Sequence, residues 1–211
     1  MIKDIKLLDK SELLDWLRNE AGVNHYSYFG DNLKMGNLEI QQVPEEYIGY
    51  LWFLKNSNFK TYLNIGIGRG GSFLIETFIQ SNLELSVAID NSSYWAGDQK
   101  NSIVEKINWL QSNVNTKVEF HDSDSVGWLK NNQDKKFDTI FIDGDHSYDG
   151  VKGDFENSIP LLNDDGYIVF HDINSMGCPG VVKLWNEIRN DSCQEFIESR
   201  TCGIGVWKKN K

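Results

Sequence analysis

Two short stretches concentrate the ionisable chemistry of this 211-residue chain. Asp143-Gly144-Asp145-His146 sets three titratable side chains within four positions, and His171-Asp172 adds two more. Carboxylates that close repel one another unless a cation or a proton sits between them. Such a set can hold a divalent ion: carboxylate oxygens suit Mg2+, Mn2+ or Ca2+, and imidazole tilts the choice toward transition metals. It can equally take a proton from a substrate hydroxyl. Asp143 and Asp172 are the natural joint ligands. The bland reading of either histidine is a hydrogen-bonding core residue.

A third stretch, Asn64-Ile65-Gly66-Ile67-Gly68-Arg69-Gly70-Gly71-Ser72, is suited to close approach rather than to proton transfer. Glycines let the backbone turn tightly against a ligand, and a helix that follows offers unsatisfied N–H groups to an anion. Gly66, Gly68 and Gly71 spell the dinucleotide pattern, which by itself also fits an ordinary strand-to-helix turn. Asp90 follows at the distance where an acid accepts hydrogen bonds from ribose hydroxyls. Its bland reading is a helix cap in Asp90-Asn91-Ser92. Loop and acid together indicate an adenosine-type cofactor. Asp124 and Ser125 can cap a helix and also border an adenine; the two roles are compatible.

These residues need elements to hold them. Ser11 can cap a helix from Glu12 to about Glu20, and Pro44 starts another that runs to about Asn56. From Thr61 onward, short apolar runs alternate with helical periods. Strands are expected at Tyr62–Ile65, Leu85–Ile89, Val118–Phe120, Thr139–Ile142 and Tyr167–Phe170. Helices are expected at Ser72–Gln80, Trp95–Leu110, Ser125–Lys130, Tyr148–Leu161 and Gly180–Arg189. Two late strands follow near Glu195–Glu198 and Ile204–Trp207. This alternation predicts an α/β fold: a Rossmann-like, seven-stranded, mostly parallel sheet with helices on both faces and the last one or two strands antiparallel. An N-terminal helical segment, residues 1–43, precedes the main domain, residues 44–211. Ligands of such sheets lie beyond the carboxyl ends of the strands, where the residues singled out above fall.

Composition narrows the partners. The balance of 21 Lys+Arg against 31 Asp+Glu gives a net charge of −10, which disfavours nucleic acid and anionic membranes. No apolar run has the length of a membrane span, and no signal core follows the charged N-terminus. The three cysteines (Cys178, Cys193, Cys202) are odd in number and lack metal-type spacing. They read as reduced thiols of a cytoplasmic protein. The N-terminal helices and exposed aromatics are compatible with a homodimer.

The glycine stretch, Val87-Ala88-Ile89-Asp90, the segment from Phe141 to Tyr148 and Ile168-Val169-Phe170-His171-Asp172 together resemble the class I S-adenosylmethionine-dependent methyltransferases. The likeness is to the small-molecule O-methyltransferases of macrocin O-methyltransferase type, and it spans about Pro44 to Trp207. The resemblance implies methyl transfer to a small-molecule hydroxyl, on a sugar or a natural product. It sets Asn64, Gly66, Gly68, Gly70, Ser72, Asp90, Asn91, Asp124, Ser125 and Asp143 against the cofactor. The loop would hold the methionine part, Asp90 the ribose, and Asp124 and Ser125 the adenine. In metal-dependent members the matching positions, here Asp143, His171 and Asp172, bind Mg2+ or another divalent cation. Asp145 matches the general base, with His146 beside it.

Two positions depart from that pattern. Asn64 stands where an acid is common, and lacks a charge to match an ammonium. His171 replaces a carboxylate, which leaves open a metal-free mechanism with His146 or His171 as base. The segment His25–Phe29 is a candidate lid. The rival enzyme is a nicotinamide oxidoreductase, for which Tyr148-x-x-x-Lys152 would supply the Tyr/Lys pair; its spacing from the glycines is too short. A non-catalytic binding protein of the same fold is the rival from another class, and a relative of cephalosporin hydroxylase shares the same strand ends.

Overall fold

The computed structural model describes residues 2–23, 38–91, 99–198 and 202–209. The candidate lid His25–Phe29 lies outside the described residues. Seven strands form one sheet: β1 (Thr61–Ile65), β2 (Leu85–Asp90), β3 (Lys117–Asp122), β4 (Phe137–Ile142), β5 (Leu162–His171), β6 (Gln194–Phe196) and β7 (Ile204–Lys208). Their spatial order is β3-β2-β1-β4-β5-β7-β6. The first five are parallel, and β7 runs antiparallel to both β5 and β6. The order reverses between β1 and β4, which opens a crevice at their carboxyl ends, the usual ligand position in such sheets.

The central strands read as near-continuous apolar runs because both faces are covered. Leu63, Ile65, Val87, Ile89, Ile140 and Ile142 point to one core, shared with α5 (Ser125–Asn131), α6 (Tyr148–Ser158) and α7 (Pro179–Ile188). Tyr62, Ala88, Phe141 and Val169 point to the other, shared with α2 (Pro44–Lys55), α3 (Gly71–Ile79) and α4 (Gln99–Asn113). Ile5, Leu13, Trp16, Leu17, Ala21 and Ile40 are buried in that second core too, so the N-terminal segment packs on the same sheet as the main domain.

Local chemistry moves some boundaries. The first helix, α1 (Lys10–Trp16), is capped by Asp9 rather than Ser11. Asp9 accepts from the Ser11 and Glu12 amides while Glu12 reaches back to the Asp9 amide, which satisfies both ends of a capping box. A π-turn continues it over Leu17–Ala21. Helix α4 begins at Gln99 and extends to Asn113; the start expected at Trp95 is outside the described residues. Strand β6 is confined to Gln194–Phe196.

Candidate functional site

The glycine loop leaves β1 under tight restraint. The Gly66 amide donates to the Ile89 carbonyl, and the Asp143 amide donates to Ile65, so β1 ends clamped between its neighbours. Gly66 (φ +82°) has no space for a side chain, because a Cβ there would collide with the Asp143 carbonyl. Gly68 (φ +54°) is different: a Cβ built on it meets nothing within 4 Å. The loop therefore arches over its supports and leaves room above Gly68.

Asp90 is that support. Its buried carboxylate accepts from the Ile67 and Gly68 amides at 2.7 and 2.9 Å. Burial pushes its pKa up, and the two loop hydrogen bonds oppose the rise. Asn91 next to it is exposed. Across the loop, Arg69 pairs with Glu39 at 3.0 Å, and Lys106 of α4 reaches the same carboxylate at 2.8 Å. Ser102 donates to Glu39 as well. Glu39 thus ties the N-terminal segment to the loop, a role with no signal in its own sequence context.

At the ends of β4 and β5, four side chains alternate in charge. Asp143 Oδ1 lies 3.3 Å from His146 Nε2 and 3.2 Å from His171 Nδ1. Asp172 Oδ2 lies 3.5 Å from each of the same two nitrogens. His146 is held protonated by its hydrogen bond to Asp143, by Cys178 and by the carboxylate charges, with its pKa pushed up to about 11. Burial alone would lower the His171 pKa, but Asp143 and Asp172 outweigh it and hold it well above the usual value. The imidazoles in turn pull both carboxylates down against their burial. Asp172 has a left-handed backbone (φ +62°), which is strained for a residue with a Cβ. Two thiols border the cluster: Cys178 Sγ is 3.2 Å from Asp172 Oδ2, and Cys202 Sγ lies within 4.8 Å of Asp172 and His171 ligand atoms.

Other expected residues take structural positions. Asp145 is exposed, and its carboxylate accepts from the Ser147 amide; Ser147 in turn caps α6. Asp124 caps α5 through the Gly127 amide. Ser125 donates to buried Asp154 at 2.6 Å, whose pKa burial pushes up to about 6. The Ser72 carbonyl accepts from Tyr47. Asn64 points beneath the loop and donates to Tyr62 and to Glu76 of α3. Glu76 is fully buried and also accepts from Tyr47 and Tyr62. Burial pushes its carboxyl up to about 7 against those hydrogen bonds. A lone carboxylate within the apolar run Ser72-Phe73-Leu74-Ile75-Glu76-Thr77-Phe78-Ile79 was the available signal for this cluster.

Mg2+ does not match the donors present. It holds oxygen ligands in near-ideal octahedral geometry and keeps several waters. Here two imidazoles and two thiols surround the carboxylates, and His171, Asp172 and Cys202 are all buried.

Residues 63–173 match the family model described as a methyltransferase domain. Among curated proteins, the uncharacterized protein R132 of Acanthamoeba polyphaga mimivirus is 29% identical over 135 residues, covering 62% of this chain and 60% of that protein. The uncharacterized protein y4gI of Sinorhizobium fredii is 40% identical over 58 residues, covering 26% of this chain and 6% of that protein. The chain therefore matches only part of the length of these relatives. Among solved structures, an O-methyltransferase from Bacillus cereus in complex with SAH superposes with a TM-score of 0.59 at 16% identity, over 99% of this chain and 95% of that one. CalS11, a TDP-rhamnose 3′-O-methyltransferase of calicheamicin biosynthesis, gives 0.57 at 13% identity, over 75% and 76%. These structural likenesses establish a shared fold.

Proposed function

The chain belongs to the methyltransferase-domain family, and on that premise we propose that it transfers a methyl group from S-adenosylmethionine to a hydroxyl of a small molecule. One observation carries the reading. An open glycine loop braced by a buried acid faces, across the β1/β4 crevice, a cluster of two imidazoles and two carboxylates. A sugar or natural-product hydroxyl is the acceptor class that suits a proton-handling centre, and a protein of this fold that acts on TDP-rhamnose supports it.

S-adenosylmethionine supplies an electrophilic methyl when bound. The chain has to place donor and acceptor and to move one proton. Gly68 leaves the space for the donor, and Asp90 fixes the loop while lying at the strand end where ribose hydroxyls are received. Asp143 and Asp172 orient His146 Nε2 between them. His146 is the exposed imidazole of the pair, at 36% of its side chain against 7% for His171, so it is the ring that a substrate hydroxyl reaches. His146 must lose its own proton before it can accept another, and it does so more readily when a positive charge shares the crevice. Asp145 is committed to the start of α6 and holds that turn rather than the transferred proton. No step is assigned to Mg2+.

Calorimetric titration with S-adenosylmethionine, S-adenosylhomocysteine and NAD tests the cofactor. The expected result is micromolar binding of the two sulfur compounds, none of NAD, and at least ~10-fold weaker binding in Gly68→Val, which fills the open space at a strained backbone position. Binding of neither sulfur compound by the folded protein would overturn the proposal.

A further inference from the structure

One buried carboxylate close to the crevice has no part in the reaction described above. We propose, resting on the S-adenosylmethionine reading, that Asp154 is a positioning residue: it holds the Ser125 hydroxyl as a pure acceptor, and Ser125 thereby selects adenine, with its exocyclic amine, over hypoxanthine, with a carbonyl in that place.

The strand order places the base. The proton-handling cluster stands at the ends of β4 and β5, the open glycine loop leaves β1, and Asp90, the acid suited to ribose hydroxyls, ends β2. Across the sheet these positions run β5-β4-β1-β2, and β3 comes next. A nucleoside with its ribose at Asp90 and its sulfur toward the β4–β5 cluster therefore turns its base toward the exit of β3. That exit is fastened to the ribose position, because Asp122 pairs with Asp90 and the Ser123 amide donates to the Asp90 carbonyl at 3.1 Å. Ser125 opens α5 just beyond it and is only half-buried.

Asp154 approaches from beneath. It projects from α6, is fully buried, and accepts from Ser125 Oγ at 2.6 Å. A Cβ built on Gly144 would lie 3.3 Å from Asp154 Oδ2, and one built on Gly66 would strike Gly144 in turn. Asp154 is thus packed under the same turn that abuts the glycine loop. Burial pushes its pKa up to about 6; Ser125 opposes the rise, and the Asp124 and Asp145 charges add to it. The group is therefore mainly ionised at neutral pH and accepts rather than donates. A serine hydroxyl has one proton and two lone pairs. With that proton committed to Asp154, Ser125 can only accept, and an amine satisfies it where a carbonyl oxygen leaves two acceptors facing each other. A second observation sets Asp154 apart from an ordinary tie between α5 and α6. Its Oδ2 is buried and makes no hydrogen bond among the described residues, a costly state for a carboxylate whose only task is to join two helices.

Calorimetric titration of the full-length protein with S-adenosylhomocysteine and with S-inosylhomocysteine, which carries the carbonyl, reads the selectivity. The unmutated protein is expected to bind the adenine compound at least ~10-fold more tightly. Asp154→Ala and Ser125→Ala are each expected to cut that ratio by ~10-fold, whereas Asp154→Asn, whose amide oxygen still accepts from Ser125, keeps it within ~3-fold. A merely structural Asp154 would weaken both compounds alike and leave the ratio unchanged. An unchanged ratio in Asp154→Ala or in Ser125→Ala would overturn the proposal. Should Asp154→Ala fail to fold, Asp154→Leu, which fills the site with an apolar side chain, is read in the same way. Tight S-adenosylhomocysteine binding with no preference over the inosine compound overturns this proposal alone; binding of neither overturns the cofactor reading and this proposal with it.

Discussion

His146 and Asp145 are neighbours in sequence with opposite fates. The carboxylate of Asp145 turns back on its own chain to the Ser147 amide, as short acidic side chains do at helix starts. The imidazole of His146 reaches across to Asp143 and Asp172. Replacing His146 with Gln should therefore lower the methyl-transfer rate by ~10²- to 10⁴-fold, the usual share of a positioned acid–base group. Calorimetric affinity for S-adenosylhomocysteine should stay within ~3-fold, since the ring holds no part of the glycine loop. A rate within a factor of two of the unmutated enzyme would remove His146 from the proton path. Asp90 shows the other pattern: the acid ending β2 was legible as a ligand-binding position, but its bracing of the Ile67 and Gly68 amides is a contact from one strand end to the neighbouring loop that residue spacing does not encode.

At the scale of elements, the sheet was legible because β1, β2, β4 and β5 each carry a short apolar run ended by Gly, Asp or His. The seven strands and the antiparallel direction of β7 follow the expected pattern. Elements without such punctuation were harder to read. Asp9 outcompetes Ser11 as a cap because Glu12 completes its box, and Cys202 has neither a partner cysteine nearby in sequence nor ligand spacing, so only the β5–β7 pairing brings it to Asp172. The attachment of the N-terminal segment was equally hidden. Gly71, at the first turn of α3, would strike the Leu38 carbonyl if it carried a Cβ and would crowd Ile40 at 2.9 Å. Gly71→Ala should push residues 38–40 off α3 and strain the Glu39 contacts with Arg69 and Lys106. The expected cost is ~1–3 kcal/mol by urea denaturation, with weaker binding of S-adenosylhomocysteine through the disturbed loop. An unchanged unfolding midpoint would show that this contact yields freely.

At the scale of the whole molecule, Glu76 is a costly charge, fully buried beneath the loop among Tyr47, Tyr62 and Asn64. Its folded-state pKa of about 7 lies above the unfolded value of 4.5. Between those values the folded protein binds more protons than the unfolded chain, so stability falls as pH rises. The penalty is absent below about pH 4 and complete above about pH 7, on the order of 3 kcal/mol for a shift of this size. Glu76→Gln should flatten that slope in urea titrations run from pH 5 to 8, and it should be more stable than the parent at pH 8 if the amide keeps the tyrosine hydrogen bonds. A slope identical to the parent's would place the pH dependence elsewhere.

The strand order has a further consequence at this scale. Strand β7 follows β6 in sequence, yet it lies between β6 and β5. The described sheet pairing of β6 is therefore with β7 alone, so loss of the β5–β7 pairing takes both strands off the sheet together. Undocking would carry Cys202 and Ile204 away from His171 and leave the rest of the parallel sheet intact. The molecule thus contains a cooperative opening unit smaller than the whole fold, and amides on both sides of the β5–β7 seam would exchange with solvent at a common rate.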